Sequence, residues 1–301
     1  MTLMWMATLC AQEYGMHWIG VADPDSLSHV WFRQTYLEEG RPQQACVTVT
    51  STGYYKLYVN ECNVGTAVFY PAREPYSDNP VSMTFDVTPY LRSDTDVVAL
   101  CYAPAYPHVD SCQVSVLFYG VDSAGQAFSR ASDGDWLCRR ANSRWTADGQ
   151  ELIDGRYHNP SWKAAWFDPA LWLSAERRRD GRRRPVNYLS PDAPVLRHVH
   201  TDGYRYFDRD STGVTYDFGE AFHGLLRLTL REARRGEHIL YDGMEYICNG
   251  ELDEQAFPVF RIGDYRRIRV SGDRRFRRDQ ITTVEALQMA PMASGDTLPW
   301  P

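Results

Sequence analysis

The stretch GYYKLYVNECNVG at residues 53–65, followed after a turn-rich interval by MTFDVTPYLR at 83–92, decides the fold. Tyr55, Leu57 and Val59 alternate with Tyr54, Lys56 and Tyr58, the period of two expected of a strand that buries one face. Residues 60–65 supply turn chemistry: Asn60 tolerates a left-handed backbone, and Gly65 reaches positive φ without a Cβ clash. A second strand is expected at 83–87. A short helical turn follows at 87–91, with Asp86 or Thr88 as cap and Pro89 at an early position.

The pattern continues outward from this pair. Strand-like runs stand at 30–36, 45–51, 54–60, 66–70, 83–87, 97–102, 112–120 and 128–129 leading to Trp136, separated by Gly, Pro, Asn or Asp. Residues 149–185 carry three Trp among few β-branched residues, the composition of an extended strap held by aromatic anchors, and end in an Arg-rich linker. A second set of strands is expected at 195–199, 203–207, 214–217, 224–230, 237–246, 259–261, 266–270 and 280–287. The expectation is an all-β chain of two antiparallel β-sandwich domains, at 1–150 and 186–290, joined by an aromatic strap and linker at 151–185. Residues 291–301 form a tail.

Composition narrows the function. A chain of 301 residues, 44% hydrophobic, builds one large core or two medium ones. Nine Trp, nineteen Tyr and twelve Phe suit β-structure and also surfaces that stack on sugar rings. The net charge of −7 gives the molecule no electrostatic reason to bind nucleic acid or an anionic membrane. Residues 1–175 hold 11 basic and 19 acidic residues, a net of −8, leaving a net of +1 for the rest. The Arg runs at 177–179, 182–184 and 274–278 read as solvated linker and strand–turn surface. Seven scattered cysteines, odd in number and without a CxxC pair, point away from a zinc site and a disulfide framework. They suit a reducing compartment, so the cytoplasm is expected, or the periplasm or exterior if a leader was removed. No run of about 18 apolar residues is present.

The order of the motifs adds a family. GYY-x-LYVN and the later FDVT resemble the N-terminal β-sandwich of bacterial α-L-rhamnosidases of glycoside hydrolase family 78. The strap resembles the family's corresponding segment at Ile153-Asp154-Gly155-Arg156, Trp162, Phe167-Asp168 and Trp172. TYDFGEAFHGLLRLTL at 215–230 and FPVFRIGDYRRIRVSG at 257–272 resemble signatures of its second β-domain. The resemblance implies jelly-roll, galactose-binding-like sandwiches. It also implies that hydrolysis belongs to an (α/α)6 barrel whose catalytic carboxylates match no position here, so no catalytic residue is assigned. Departures from the family stand at Asn60-Glu61, Glu220-Ala221, Leu225 and the loop 102–108.

Carboxylate groups within the sandwiches that could form a catalytic pair stand at Asp217 with Glu220, at Glu251 with Asp253 and Glu254, and at Asp133 with Asp135. Asp217 and Glu220 stand at a turn that Asp fixes by bonding backbone N–H groups, and the 251–254 cluster keeps a polar loop solvated, so structural roles are the expectation. His198 and His200, with Asp202 nearby, have the one metal-like spacing and lack a third ligand, so no metal is assigned. No cofactor is expected, although the acidic loops at 23–25 and 133–135 could hold a structural calcium. The expected function is a non-catalytic carbohydrate-recognition or scaffold module, with a rhamnose-containing glycan as partner. The candidate sugar contacts are Tyr70, Arg73, Glu74, Tyr76, Asp78, Tyr102, Tyr106 and His108, which combine flat rings with charged groups. The alternative is a fragment or accessory subunit of an α-L-rhamnosidase, docking a catalytic domain or a second copy. Trp162, Trp166, Trp172, Leu225 and Phe257 would then line an apolar face.

Overall fold

The computed structural model describes residues 17–65, 67–71, 80–106, 108–178, 186–187, 195–199, 205–210 and 212–290. Among these, the helical segments are four short 3-10 turns, and no helix is long and apolar enough to cross a membrane. The rest of the regular structure is strand.

In the first module two sheets face each other. One carries Gln44–Ser51 between Gln113–Val121 and Val81–Asp86. The other carries, in order, Leu137–Trp145, Ser28–Leu37, Thr95–Pro104 and Gly53–Val59. Tyr55, Leu57 and Val59 point into the space between the sheets, against a core that includes Val47, Val49 and Phe118. Burying a side chain of this size stabilises by roughly 1.5–3 kcal/mol. The sequence alternation at 53–59 is thus the observed burial alternation. Asn60 and Glu61 close the strand with φ of 49° and 73°, and Gly65 follows at 92°. A Cβ on Gly65 would stand 1.9 Å from the Tyr70 hydroxyl, so the close approach needs glycine as much as the positive φ does.

The opposite face of the same sheet is also covered. Trp162 and Trp172 of the strap lie over Trp31, with ring centroids 5.2 and 6.2 Å away and near-parallel planes. This second layer explains why Thr95–Pro104 reads as an unbroken apolar run. Val98, Leu100 and Tyr102 face the sandwich, while Val97, Ala99, Cys101 and Ala103 face the strap.

Several expected elements differ. Of the expected strand 66–70, the described residues 67–70 do not form one: Tyr70 makes an isolated bridge to Tyr55. The strand Leu137–Trp145 was not expected, because its Arg139, Arg140 and Arg144 hide the alternation. The expected pair 214–217 and 224–230 is one strand, Gly213–Arg231, whose register slips between Asp217 and Phe222. Gly219, at φ 79°, takes the left-handed residue of that irregularity. The expected strand 237–246 is a hairpin, His238–Tyr241 and Met244–Ile247, turning at Asp242-Gly243. Residues 259–261 are loop, and the expected polar loop at 251–254 runs into a strand, Asp253–Ala256.

The strap begins with structure of its own. Glu151–Asp154 pairs antiparallel with Leu137–Trp145 and parallel with Met244–Ile247, so one continuous sheet runs through both modules. The second module has its own core, centred on Leu226, Leu228, Ile239 and Val270. The Arg-rich residues 179–185 and the tail 291–301 lie outside the described residues.

Candidate functional site

The expected sugar contacts do not assemble. Tyr70 is buried, its ring 5.8 Å from that of Tyr55 and 4.8 Å from that of Phe85. Tyr102 is buried in the same core and shares a 3.1 Å hydrogen bond with the Thr52 hydroxyl. His108 is buried too, its backbone N–H donating to Ala105. These three are corrections: Tyr102 faces inward by the register of its strand, and Tyr70 and His108 are folded inward from loops, where a ring contributes to packing and cannot meet a ligand. Tyr106 is 79% exposed. Arg73, Glu74, Tyr76 and Asp78 lie outside the described residues, as do His200 and Asp202.

At least one member of each candidate carboxylate group is committed to structure. Asp217 accepts from the Gly219 N–H at 2.8 Å and from Arg267 at 2.7 Å, which hold its carboxyl below the usual range. Asp253 forks onto Arg231 at 2.9 and 3.1 Å. Glu254 is buried and accepts from the Asn249 and Gly250 N–H groups and the Tyr246 hydroxyl. Asp133 accepts from the Asp135 N–H. Asp25, in the loop considered for calcium, takes the N–H groups of Leu27 and Ser28 and the Arg140 guanidinium. Among the described residues no group of three or more His, Cys, Asp or Glu side chains is placed to hold a metal.

What the structure does build is a cleft of about 480 Å³ at the junction of the modules, within the range of small-molecule sites. The first module contributes Lys56 and Tyr58, the strap Asn159, Trp162 and Lys163, and the second module Glu251, Gln255 and Phe257. Tyr58 and Trp162 meet edge to face at 5.8 Å, and the Lys163 ammonium sits 4.3 Å from the Tyr58 ring centroid. Asn159 caps a 3-10 turn by accepting from the Ser161 N–H at 3.0 Å, which fixes the side chain at the cleft wall. Cationic, anionic and amide groups therefore converge on one aromatic-walled hollow. Sequence reasoning missed it because its residues come from three separated segments, although Asn159, Trp162 and Lys163 sit within the strap already marked by its aromatics.

Behind the cleft lies Glu151, fully buried. One carboxylate oxygen accepts from three successive N–H groups, those of Val259, Phe260 and Arg261, at 3.0, 2.9 and 2.9 Å. The other oxygen has no hydrogen-bond partner and stands 3.6 Å from His29 Nδ1, which is itself bonded to the Ser143 hydroxyl. Burial pushes Glu151 up to about 7 against the pull of the three amides, and pushes His29 down to about 3. Glu151 fastens the 259–261 loop of the second module to the bridging strand.

Comparisons with known proteins bear on this architecture. Residues 40–108 match the family described as Alpha-L-rhamnosidase N-terminal domain. An alpha-L-rhamnosidase of Streptomyces avermitilis is 23% identical over 89% of this chain and 29% of its own length. The solved alpha-L-rhamnosidase from Dictyoglumus thermophilum superposes with a TM-score of 0.80 at 16% identity, covering 93% of this chain and 36% of that one. The Aspergillus terreus enzyme gives 0.76 at 19% identity, with the same coverage. The chain thus spans about a third of the length of the rhamnosidases it matches. Residues 40–108 are similar to the alpha-L-rhamnosidase N-terminal domain, and the chain shares the fold of about a third of the solved alpha-L-rhamnosidases.

Proposed function

We propose that the chain is a non-catalytic carbohydrate-recognition module related to the β-domains of α-L-rhamnosidases. The junction cleft carries this reading: rings for the apolar face of a pyranose, and lysine, amide and carboxylate groups for its hydroxyls, in a volume that suits a small saccharide. A rhamnose-containing oligosaccharide is the proposed ligand class. Titration calorimetry is the test. Binding to the wild type is expected, and K163A combined with Q255A should weaken it about tenfold or more, since each net hydrogen bond contributes roughly 1 kcal/mol. No heat with such saccharides, or indistinguishable variants, would sink the proposal. An aryl α-L-rhamnoside is expected to remain intact in the same preparation.

A second reading, an accessory half that docks a catalytic domain, is supported by the strap's outer side. Trp166, Leu171 and Leu173 are 72%, 83% and 68% exposed within eight residues. Trp162, Trp172 and Leu225 do not contribute to such a face, because all three are buried.

A further inference from the structure

The junction cleft sorts its charges by module. On the strand Gly53–Val59, Tyr54, Lys56 and Tyr58 alternate with the residues that fill the sandwich core, so all three share the face turned toward the strap. The 3-10 turn Pro160–Lys163 sets Trp162 edge to face with Tyr58 and brings the Lys163 ammonium 4.3 Å from the Tyr58 ring centroid. Lys56 and Lys163 therefore stand on the same side of the sheet, and both line the cleft.

Neither ammonium has a hydrogen bond or an ion pair among the described residues. Each rests against a ring instead, Lys163 on Tyr58 and Lys56 at 5.9 Å from the Phe260 centroid. Both side chains are half-buried. Burial holds the Lys56 ammonium below its ordinary value, and Lys163 adds to this while Glu151 opposes it. Burial lowers Lys163 as well. Glu151 does not pair with Lys56: one oxygen is taken by the Val259, Phe260 and Arg261 N–H groups, and the other faces His29. The cleft's own carboxylates come from the second module, and two of the three are already bonded. Asp253 forks onto Arg231, and Glu254 accepts from the Asn249 and Gly250 N–H groups and the Tyr246 hydroxyl. Glu251 remains, exposed, and His158 is within electrostatic reach of both Glu251 and Lys163. The first module and the strap thus present two unmatched cations. The second module presents an amide, Gln255, a 40% exposed ring, Phe257, and one open carboxylate. An ammonium withdrawn from water without a partner carries a desolvation cost that a bound anion offsets.

We propose that the saccharide taken by the junction cleft is an acidic one, with a uronate carboxylate at its lysine end. This rests on the reading of the cleft as a saccharide site and names the class of sugar it selects. The carboxylate pairs with Lys163 and Lys56, a pyranose ring lies on Phe257, and hydroxyls meet Asn159 and Gln255. A bare inorganic anion uses only the first of these contacts, which favours the sugar acid.

The test is calorimetric titration of the full chain with three ligands: a disaccharide of glucuronate and rhamnose, the same disaccharide with its carboxyl reduced to an alcohol, and inorganic phosphate. The acid is expected to bind about tenfold or more tighter than its reduced form, and raising the salt should narrow that gap by screening. Lys163→Gln and Lys56→Gln, each taken singly, should bring the acid down toward the reduced sugar. Gln255→Ala should weaken both sugars and preserve their ratio. A ratio of two ligands on one variant separates charge recognition from a general loss of structure, which lowers both. Equal affinity for the two sugars, or an undiminished ratio in both K163Q and K56Q, overturns the proposal and leaves the saccharide reading standing. Phosphate binding as tightly as the acid makes the hollow a general anion site and overturns it too. Failure of both sugars to bind removes the proposal together with the reading on which it rests.

Discussion

Glu61 occupies the second left-handed position of the turn that follows Gly53–Val59, at φ 73°. An L-residue there carries a steric cost of roughly 1–2 kcal/mol, and the gain from its 3.7 Å contact with Arg92 is small because both side chains are exposed. Glu61→Gly should therefore stabilise the chain by about 0.5–1 kcal/mol after the entropy cost of glycine, raising Tm by a few degrees. A melt that falls instead would show that the strain is compensated elsewhere. Asn60 beside it is a different case. Its amide nitrogen donates to the Tyr90 carbonyl and to Asp96, and its side-chain oxygen accepts from the Val97 N–H. The tolerance of Asn for this backbone was legible in the sequence. Its partners, 30 to 37 residues away, were not.

At the scale of elements, the strap has the largest effect for its length. Trp162 lies between Trp31, Tyr58 and Trp172 and closes the outer layer over Thr95–Pro104. Arg33 reinforces it from below, donating to the Ala164 carbonyl at 3.0 Å. Trp162→Ala should cost about 3–5 kcal/mol. It should also make the strap the first site of limited proteolysis, with the junction cleft losing a wall. Unchanged stability and an intact strap would show that the indole is incidental to the layer. The aromatic anchors of the strap were legible from composition, but the face they cover was not. Which side of a strand is available depends on the partner strands, and Arg139, Arg140 and Arg144 concealed one of those partners.

For the whole molecule, the decisive link is Glu151 on the bridging strand. Its pKa is raised from the ordinary glutamate value to about 7 by burial, so the folded state binds this proton more tightly than the unfolded chain does. The stability that proton contributes is fully present below about pH 4.5 and is lost as pH rises through about 7. Buried His29, depressed to about 3, acts in the opposite sense: its contribution is present above about pH 6.5 and is lost as pH falls toward 3. Glu151→Gln keeps an acceptor for the Val259, Phe260 and Arg261 amides and removes the titration. Urea unfolding at pH 5 and pH 8 should show the difference between wild type and E151Q moving by about 2–3 kcal/mol in favour of E151Q at the higher pH. A difference independent of pH would mean that Glu151 stays ionised throughout.

The sequence by itself determined the strands whose pattern is local. Alternation at 53–59, the left-handed turn at Asn60 and the aromatic anchors of the strap all follow from short-range periodicity and backbone preference. Tertiary structure decided the rest. It turned Tyr102 inward by the register of its strand, and folded the loop residues Tyr70 and His108 against the core. It joined both modules through Glu151–Asp154 and brought Glu151 to amides 108 to 110 residues away. It also gathered Lys56 and Lys163 with Gln255 into one hollow. Such sites are made by the pairing of distant strands, and a linear pattern carries no term for that pairing.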